Sequence, residues 1–163
     1  MSASILVIED DSVIRELVNA TLAGEGYRVS QAAAVPAALD LLESEGRFDL
    51  VVLDLMLGRE TGWDIVRHLD TSGQRPHTRL LVLSARASQA DVLDGWERGV
   101  DGYLTKPFGV EDLVDAVEDI LAASEEELAD RRRRETHRAK YSGLVEDVLA
   151  GWPDRRYPSP DRP

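Results

Sequence analysis

The chain has 163 residues, no cysteine, and 31 acidic against 19 basic residues, for a formal net charge of −12. With 43% apolar and 31% charged residues it reads as a soluble globular chain, and zero cysteine excludes disulfides, thiolate metal sites, iron–sulfur clusters and a cysteine nucleophile. The acidity argues against a general nucleic-acid binder, which needs clustered Lys and Arg on phosphates. The first apolar run, residues 5–8, ends at Glu9-Asp10-Asp11 and has no basic flank. It is neither a signal peptide nor a membrane span, so the cytoplasm is the expected compartment. Val13, Ile14, Leu17, Val18 and Leu22 then recur at helical spacing up to Gly24, a candidate C-cap; Asp11 or Ser12 is the candidate N-cap. Gly24-Glu25-Gly26 reads as the turn into a second run at 27–31. Pro36 stands near the start of a second helix carrying Ala37, Ala38, Leu41 and Leu42. A third run, 50–53, stops at Asp54, and a fourth, 80–83, stops at Ser84. Helical stretches follow at 62–69 and 89–98. Tyr103-Leu104 precedes Thr105, and Leu113, Val114, Val117, Ile120 and Leu121 mark a fifth helix.

Unbroken apolar strings suit strands buried on both faces of a parallel sheet. Alternating with helices, they predict an α/β fold, a (βα)₅ three-layer sandwich with right-handed crossovers. Ligands of such sheets bind beyond the carboxyl ends of the strands. The residues delivered there are Glu9-Asp10-Asp11, Asp54, Ser84 and Thr105-Lys106-Pro107. Glu9, Asp10 and Asp54 would repel one another unless a hard cation joins them. An oxygen set without His or Cys favours Mg²⁺, with Mn²⁺ tolerated. Lys106 is the sole Lys among the ten basic residues before position 124. With the Ser84 hydroxyl, it completes a cradle for a phosphoryl group, whose transfer needs mainly positioning and charge neutralisation. The nucleophile must be a carboxylate, because no Cys exists and no His belongs to this set.

The segments ILVIEDDSVIR at 5–15, VVLDLMLGRETGWD at 51–64, LVLSAR at 81–86 and GVDGYLTKPF at 99–108 resemble the response-regulator receiver domain of two-component signalling. The resemblance covers residue 4 to about 122. It implies a flavodoxin-like five-stranded parallel sheet of order 2-1-3-4-5. It also implies phosphorylation of Asp54 by a histidine kinase or phosphotransfer protein, with Mg²⁺ on Glu9, Asp10, Asp54 and the backbone carbonyl of Met56. Lys106 would pair with the phosphoryl group and Ser84 would hydrogen-bond it. Tyr103 would be the aromatic switch that turns inward when Ser84 moves, and Lys106–Pro107 would be cis. Two positions depart from the family pattern. Gly58 replaces a usual Pro and Glu60 a usual apolar residue, which predicts a looser loop after the nucleophile. Such a protein is a phospho-acceptor, at most catalysing its own phosphorylation and dephosphorylation.

The rival from another class is a phosphatase of the haloacid-dehalogenase-like kind. Glu9-Asp10-Asp11-Ser12-Val13 lies one residue from that opening motif, but the nucleophile would be Glu9, and Asp54 would have no role. No phosphate-loop or dinucleotide fingerprint occurs, and His68, His77 and His137 lack metal-ligand spacing.

Charge divides the chain after Ala123. Residues 1–123 hold 10 basic and 22 acidic residues, the whole of the net charge, whereas 124–163 hold nine of each. The expected units are a receiver at 1–123, a helical extension at 124–152, and a Pro-rich disordered tail at 153–163. Glu127–Arg131 and Asp130–Arg134 stand at i, i+4, which predicts a solvated, salt-bridged helix in preference to a nucleic-acid contact. Ser124 and Glu127 form a candidate capping box, unless the fifth helix runs straight through. Tyr141, Leu144, Val145, Val148, Leu149 and Trp152 form an amphipathic stripe that requires a cover, either this chain or a second protomer. The extension is short for a winged-helix output domain. The expected output is therefore contact with a downstream protein, and the alternative is the N-terminal part of a DNA-binding regulator.

Overall fold

The strands Ser4–Ile8 (β1), Arg28–Ala32 (β2), Leu50–Asp54 (β3), Arg79–Ser84 (β4) and Gly102–Thr105 (β5) form one parallel sheet of order β2-β1-β3-β4-β5. The computed structural model describes residues 2–85 and 88–150, with side chains through residue 142. Each strand is followed by a helix: Ser12–Gly24 (α1), Val35–Ser44 (α2), Trp63–Thr71 (α3), Gln89–Glu97 (α4) and Val110–Ala122 (α5). The three-layer sandwich and strand order expected from the sequence are therefore present. No helix among the described residues is long and apolar enough to cross a membrane.

The period-2 alternation of the central strands explains the layering. Leu6, Ile8, Val51, Leu53 and Leu80 pack on one side against Ala38 and Leu42 of α2 and Ile65, Val66 and Leu69 of α3. Ile5, Val7, Leu50, Val52, Leu81 and Leu83 pack on the other against Val18 and Leu22 of α1 and Leu113, Val117 and Ile120 of α5. Consecutive residues of one strand thus serve opposite cores, which is why their sequence reads as unbroken apolar strings. No residue of α4 belongs to either cluster.

Asp11 is the N-cap of α1, accepting from the backbone N–H groups of Val13 and Ile14 at 2.8 and 3.0 Å. At the other end, the expected C-cap at Gly24 is corrected. α1 runs through Gly24, Glu25 caps it, and the left-handed residue that turns the chain into β2 is Gly26. The segment after β3 is also not the loose loop its sequence predicts. Met56–Leu57 and Glu60–Thr61 pair as a small antiparallel hairpin, with Gly58 at φ +66° supplying the turn. Pro could not adopt that φ. Glu60 is useful where an apolar residue would not be, because its Oε2 accepts from the N–H of Val35 at the start of α2.

Gly62, the N-cap of α3, sits where a side chain cannot. A Cβ there would lie 2.6 Å from the backbone oxygen of Asp54 and 3.0 Å from the Cα of Leu55. Both obstacles are backbone, so Gly62→Ala must displace the end of β3. An overpacking cost of about 1–3 kcal/mol is expected as a lower urea midpoint at unchanged slope.

The last helix is separate from α5. Ala123 is extended, and Ser124 and Glu127 close the capping box, N–H of Ser124 to Glu127 Oε2 at 2.7 Å and N–H of Glu127 to Ser124 Oγ at 3.2 Å. Glu125–Ala150 (α6) then returns over the sandwich, with Leu128 fully buried. The expected i, i+4 ion pairs are corrected. Arg131 reaches Asp119 of α5 at 2.6 Å, Arg132 reaches Asp101 at 2.7 Å, and Asp130 pairs with Arg133. For Arg131 and Arg132 the partners lie on other elements because this face of α6 is docked rather than solvated, whereas Asp130 keeps a partner within the helix at i, i+3. Of the amphipathic stripe, only Tyr141 has a described side chain, exposed and stacked on His137. Leu144, Val145, Val148, Leu149, Trp152 and the Pro-rich 153–163 lie outside the described side chains.

Candidate functional site

Three strand ends bring together the residues that the sequence places there. Glu9 directly follows β1, Asp54 ends β3, and Lys106 directly follows β5. The Lys106 Nζ donates to Glu9 Oε2 at 2.6 Å and to Asp54 Oδ2 at 2.8 Å. Glu9 and Asp54 are 1% and 5% exposed, so one ammonium serves two buried carboxylates. Asp10 is exposed beside them, and one oxygen from each of Glu9, Asp10 and Asp54 lies within 4.8 Å of the others. Lys106 leaves this cluster short of positive charge, and the donor set is all oxygen, the set a hard divalent cation prefers.

The electrostatics follow from that shortage. Burial, aided by the charge of Asp54, pushes the Glu9 carboxyl up to about 7 against the pull of Lys106. Burial alone would lower Lys106, but its hydrogen bonds to Asp54 and Glu9 outweigh this and hold it above its ordinary value. Asp54 is also fixed from its own loop, where Oδ1 accepts from the N–H of Met56 at 2.8 Å. Met56 thus enters the site through its backbone, with its side chain outward.

Ser84 ends β4, buried beside Asp54's strand, and its carbonyl accepts from the N–H of Lys106 at 2.8 Å. This backbone bond ties the two strand ends that carry the hydroxyl and the ammonium. The Lys106–Pro107 peptide is cis. Tyr103 on β5 is half-buried against α4, with its ring edge where a Cβ on Gly95 would stand only 3.1 Å away. Burial raises its phenol above the ordinary value, with the neighbouring Ser84 hydroxyl acting in the opposite direction. No described residue gives the Tyr103 hydroxyl a hydrogen bond of normal geometry.

Two supporting residues escape a reading of strand ends. Arg15 on the first turn of α1 reaches back to the carbonyls of Glu9 and Asp10 at 2.9 and 3.3 Å, holding the acidic loop in shape. Gly62 lets α3 start against the Asp54 carbonyl. The only signals in sequence are a basic residue one turn past an acidic loop and a Gly directly before a helix.

Residues 5–118 match the family model described as the response regulator receiver domain. A probable transcriptional regulatory protein of Picosynechococcus is 42% identical over 118 residues, 69% of this chain and 46% of that protein. Response regulator MprA of Mycobacterium tuberculosis is 35% identical over 149 residues, 91% of this chain and 62% of the relative. The chain spans about half the length of the curated relatives it matches. Among solved structures, the chemotaxis response regulator CheY4 of Vibrio cholerae superposes with a TM-score of 0.67 at 30% identity, covering 74% of this chain and 99% of that one. DrrB of Thermotoga maritima, an OmpR/PhoB homologue, gives 0.65 at 35% identity, covering 74% and 53%.

Proposed function

Because the chain belongs to the response regulator receiver family of two-component systems, we propose that Asp54 accepts a phosphoryl group from a histidine kinase or phosphotransfer protein in a Mg²⁺-dependent step. The observation that carries this reading is the single ammonium of Lys106 shared by buried Glu9 and Asp54, with Asp10 alongside. A carboxylate oxygen of Asp54 attacks phosphorus, the bond from phosphorus to the donor nitrogen or oxygen breaks, and an acyl phosphate results. Glu9, Asp10, Asp54 and the carbonyl of Met56 would hold the metal, Mg²⁺ or Mn²⁺. When bound, it neutralises charge on the phosphoryl oxygens. Lys106 then turns from two carboxylates to the incoming phosphoryl group, and Ser84 hydrogen-bonds it. The Ser84 displacement biases Tyr103 between two packings against α4.

The chain acts as acceptor and signal carrier rather than as a turnover catalyst, with a receiver unit at 1–123 and a helical extension from 124. Its output is contact with a downstream protein or a second copy. The Arg131–Arg134 run does not favour a nucleic-acid output, because Arg131, Arg132 and Arg133 are committed to Asp119, Asp101 and Asp130.

Intact-mass measurement after acetyl phosphate treatment tests the proposal. A phosphoryl adduct on Asp54 that requires Mg²⁺ is expected. Multiple turnover of acetyl phosphate without an adduct would restore the hydrolase reading.

Mg²⁺ affinity carries a pH signature. With Glu9 at about 7 in the metal-free protein, protons compete for this ligand below that pH. Titration calorimetry is expected to show tighter Mg²⁺ binding at pH 8 than at pH 6, with protons released at the lower pH. Affinity flat across that window would contradict the role of Glu9 as a ligand.

A further inference from the structure

α4 is the one sandwich helix that contributes to neither apolar core. Only Gly95 and Trp96 among its residues are buried, and it packs more extensively on α6 than on any strand or other helix. Its position is therefore set from two sides. On the inner side Gly95 receives the ring of Tyr103, and Arg98 lies over the ring of Trp63 at 4.8 Å. On the outer side stands α6.

An open cleft of about 500 Å³ runs along the seam of the two helices, lined by Val92 and Trp96 on one side and Glu135, Arg138 and Ala139 on the other. Lys140 pairs with Glu97 of α4 at 2.7 Å. Below α4, Arg132 pairs with Asp101, which is fully buried and also accepts from the N–H of Leu80 on β4 at 2.8 Å. Buried Leu128 and the Arg131–Asp119 and Arg132–Asp101 pairs anchor the base of α6 on the sandwich, whereas the shaft is tied to α4 by the half-exposed Lys140–Glu97 pair.

We propose that α6 is a built-in latch on α4. It holds α4 in the arrangement that accompanies unphosphorylated Asp54, and phosphorylation loosens it. The inference rests on the reading of Asp54 given above. If the Ser84 and Tyr103 response to a phosphoryl group shifts α4, that shift works against the α6 contacts. Linkage then requires the reverse: undocking α6 favours phosphorylation by the same factor. Freed, the outer face of α4 becomes available as an output surface, so the extension governs when that surface is exposed.

Hydrogen exchange of the full chain with Mg²⁺ and beryllofluoride, a phosphoryl mimic, tests this directly. Protection of amides 128–142 is expected to fall about fivefold or more, while β3 stays protected. Lys140→Glu, at an exposed pair that the fold does not need, is expected to lower α6 protection without the mimic and to speed labelling by acetyl phosphate. Adding Glu97→Lys is expected to reverse both effects. Arg132→Gln is expected to act in the same direction and more strongly. Unchanged or increased α6 protection with beryllofluoride, when a parallel sample treated with acetyl phosphate and Mg²⁺ gains a phosphoryl adduct on Asp54, overturns the latch and leaves the acceptor reading intact. Absence of an adduct in the acetyl phosphate sample overturns both.

Discussion

Asp54→Asn takes up no phosphoryl group from acetyl phosphate or from a kinase, yet unfolds within about 1 kcal/mol of the parent. The two halves of this expectation have separate causes. An amide oxygen lacks the charge that makes a carboxylate nucleophilic, and no Cys exists and no His joins the site to substitute for it. Asn has the shape of Asp, and its carbonyl can still accept from the N–H of Met56, the bond that holds the acceptor's Oδ1 at 2.8 Å. Lys106 keeps Glu9 as its partner at 2.6 Å. Removing one of two buried carboxylates also removes one of the causes that hold Glu9 up at about 7, which offsets the lost ion pair. Intact mass measures the first half and urea unfolding the second. Uptake at the parental rate would show that the acceptor is elsewhere.

Asp101→Asn is expected to be the more damaging change to stability, at about 3–5 kcal/mol, because it removes one partner of a buried ionic cluster. Asp101 has no exposed surface. Its Oδ2 accepts from the N–H of Leu80 at 2.8 Å and stands 3.6 Å from the Arg75 guanidinium, while Oδ1 takes Arg132 at 2.7 Å. Asn can satisfy the N–H but leaves two guanidinium groups without their counter-charge. Arg75 already titrates below its ordinary value through burial, which Asp101 opposes, so losing Asp101 makes that burial costlier. Equilibrium unfolding in urea gives the loss. A midpoint within error of the parent would mean that water, rather than Asp101, supports these guanidinium groups.

Neither residue was equally legible. Asp54 announces itself because an acid that ends an apolar run must lie at a strand's carboxyl edge, and that edge is where parallel sheets place their chemistry. Asp101 sits in the stretch GVDGYLTKPF, which resembles the receiver pattern, but nothing local shows that its partners are Arg75 and Arg132, 26 and 31 residues away in opposite directions. The loop after β3 illustrates the same limit from the other side. Gly58 and Glu60 read as loosening substitutions until the hairpin and the bond from Val35 to Glu60 supply their purpose.

The sequence alone determined the three unbroken apolar strands and the two weaker ones, the helices between them, and the acids, hydroxyl and ammonium at the strand ends. Those features follow from local periodicity and from the chemistry of single side chains, which a window of a few residues contains. The tertiary structure decided what long-range contact and desolvation decide. It joined Lys106 to partners 97 and 52 residues away. It raised Glu9 by burying it against Asp54, and it turned α6 from a solvated helix carrying its own ion pairs into one docked on the sandwich through Asp119 of α5, Asp101 before β5 and Glu97 of α4. A charge pair within one helix is worth a few tenths of a kcal/mol, roughly, whereas a buried carboxylate such as Asp101 commands far more, so the tertiary partner prevails.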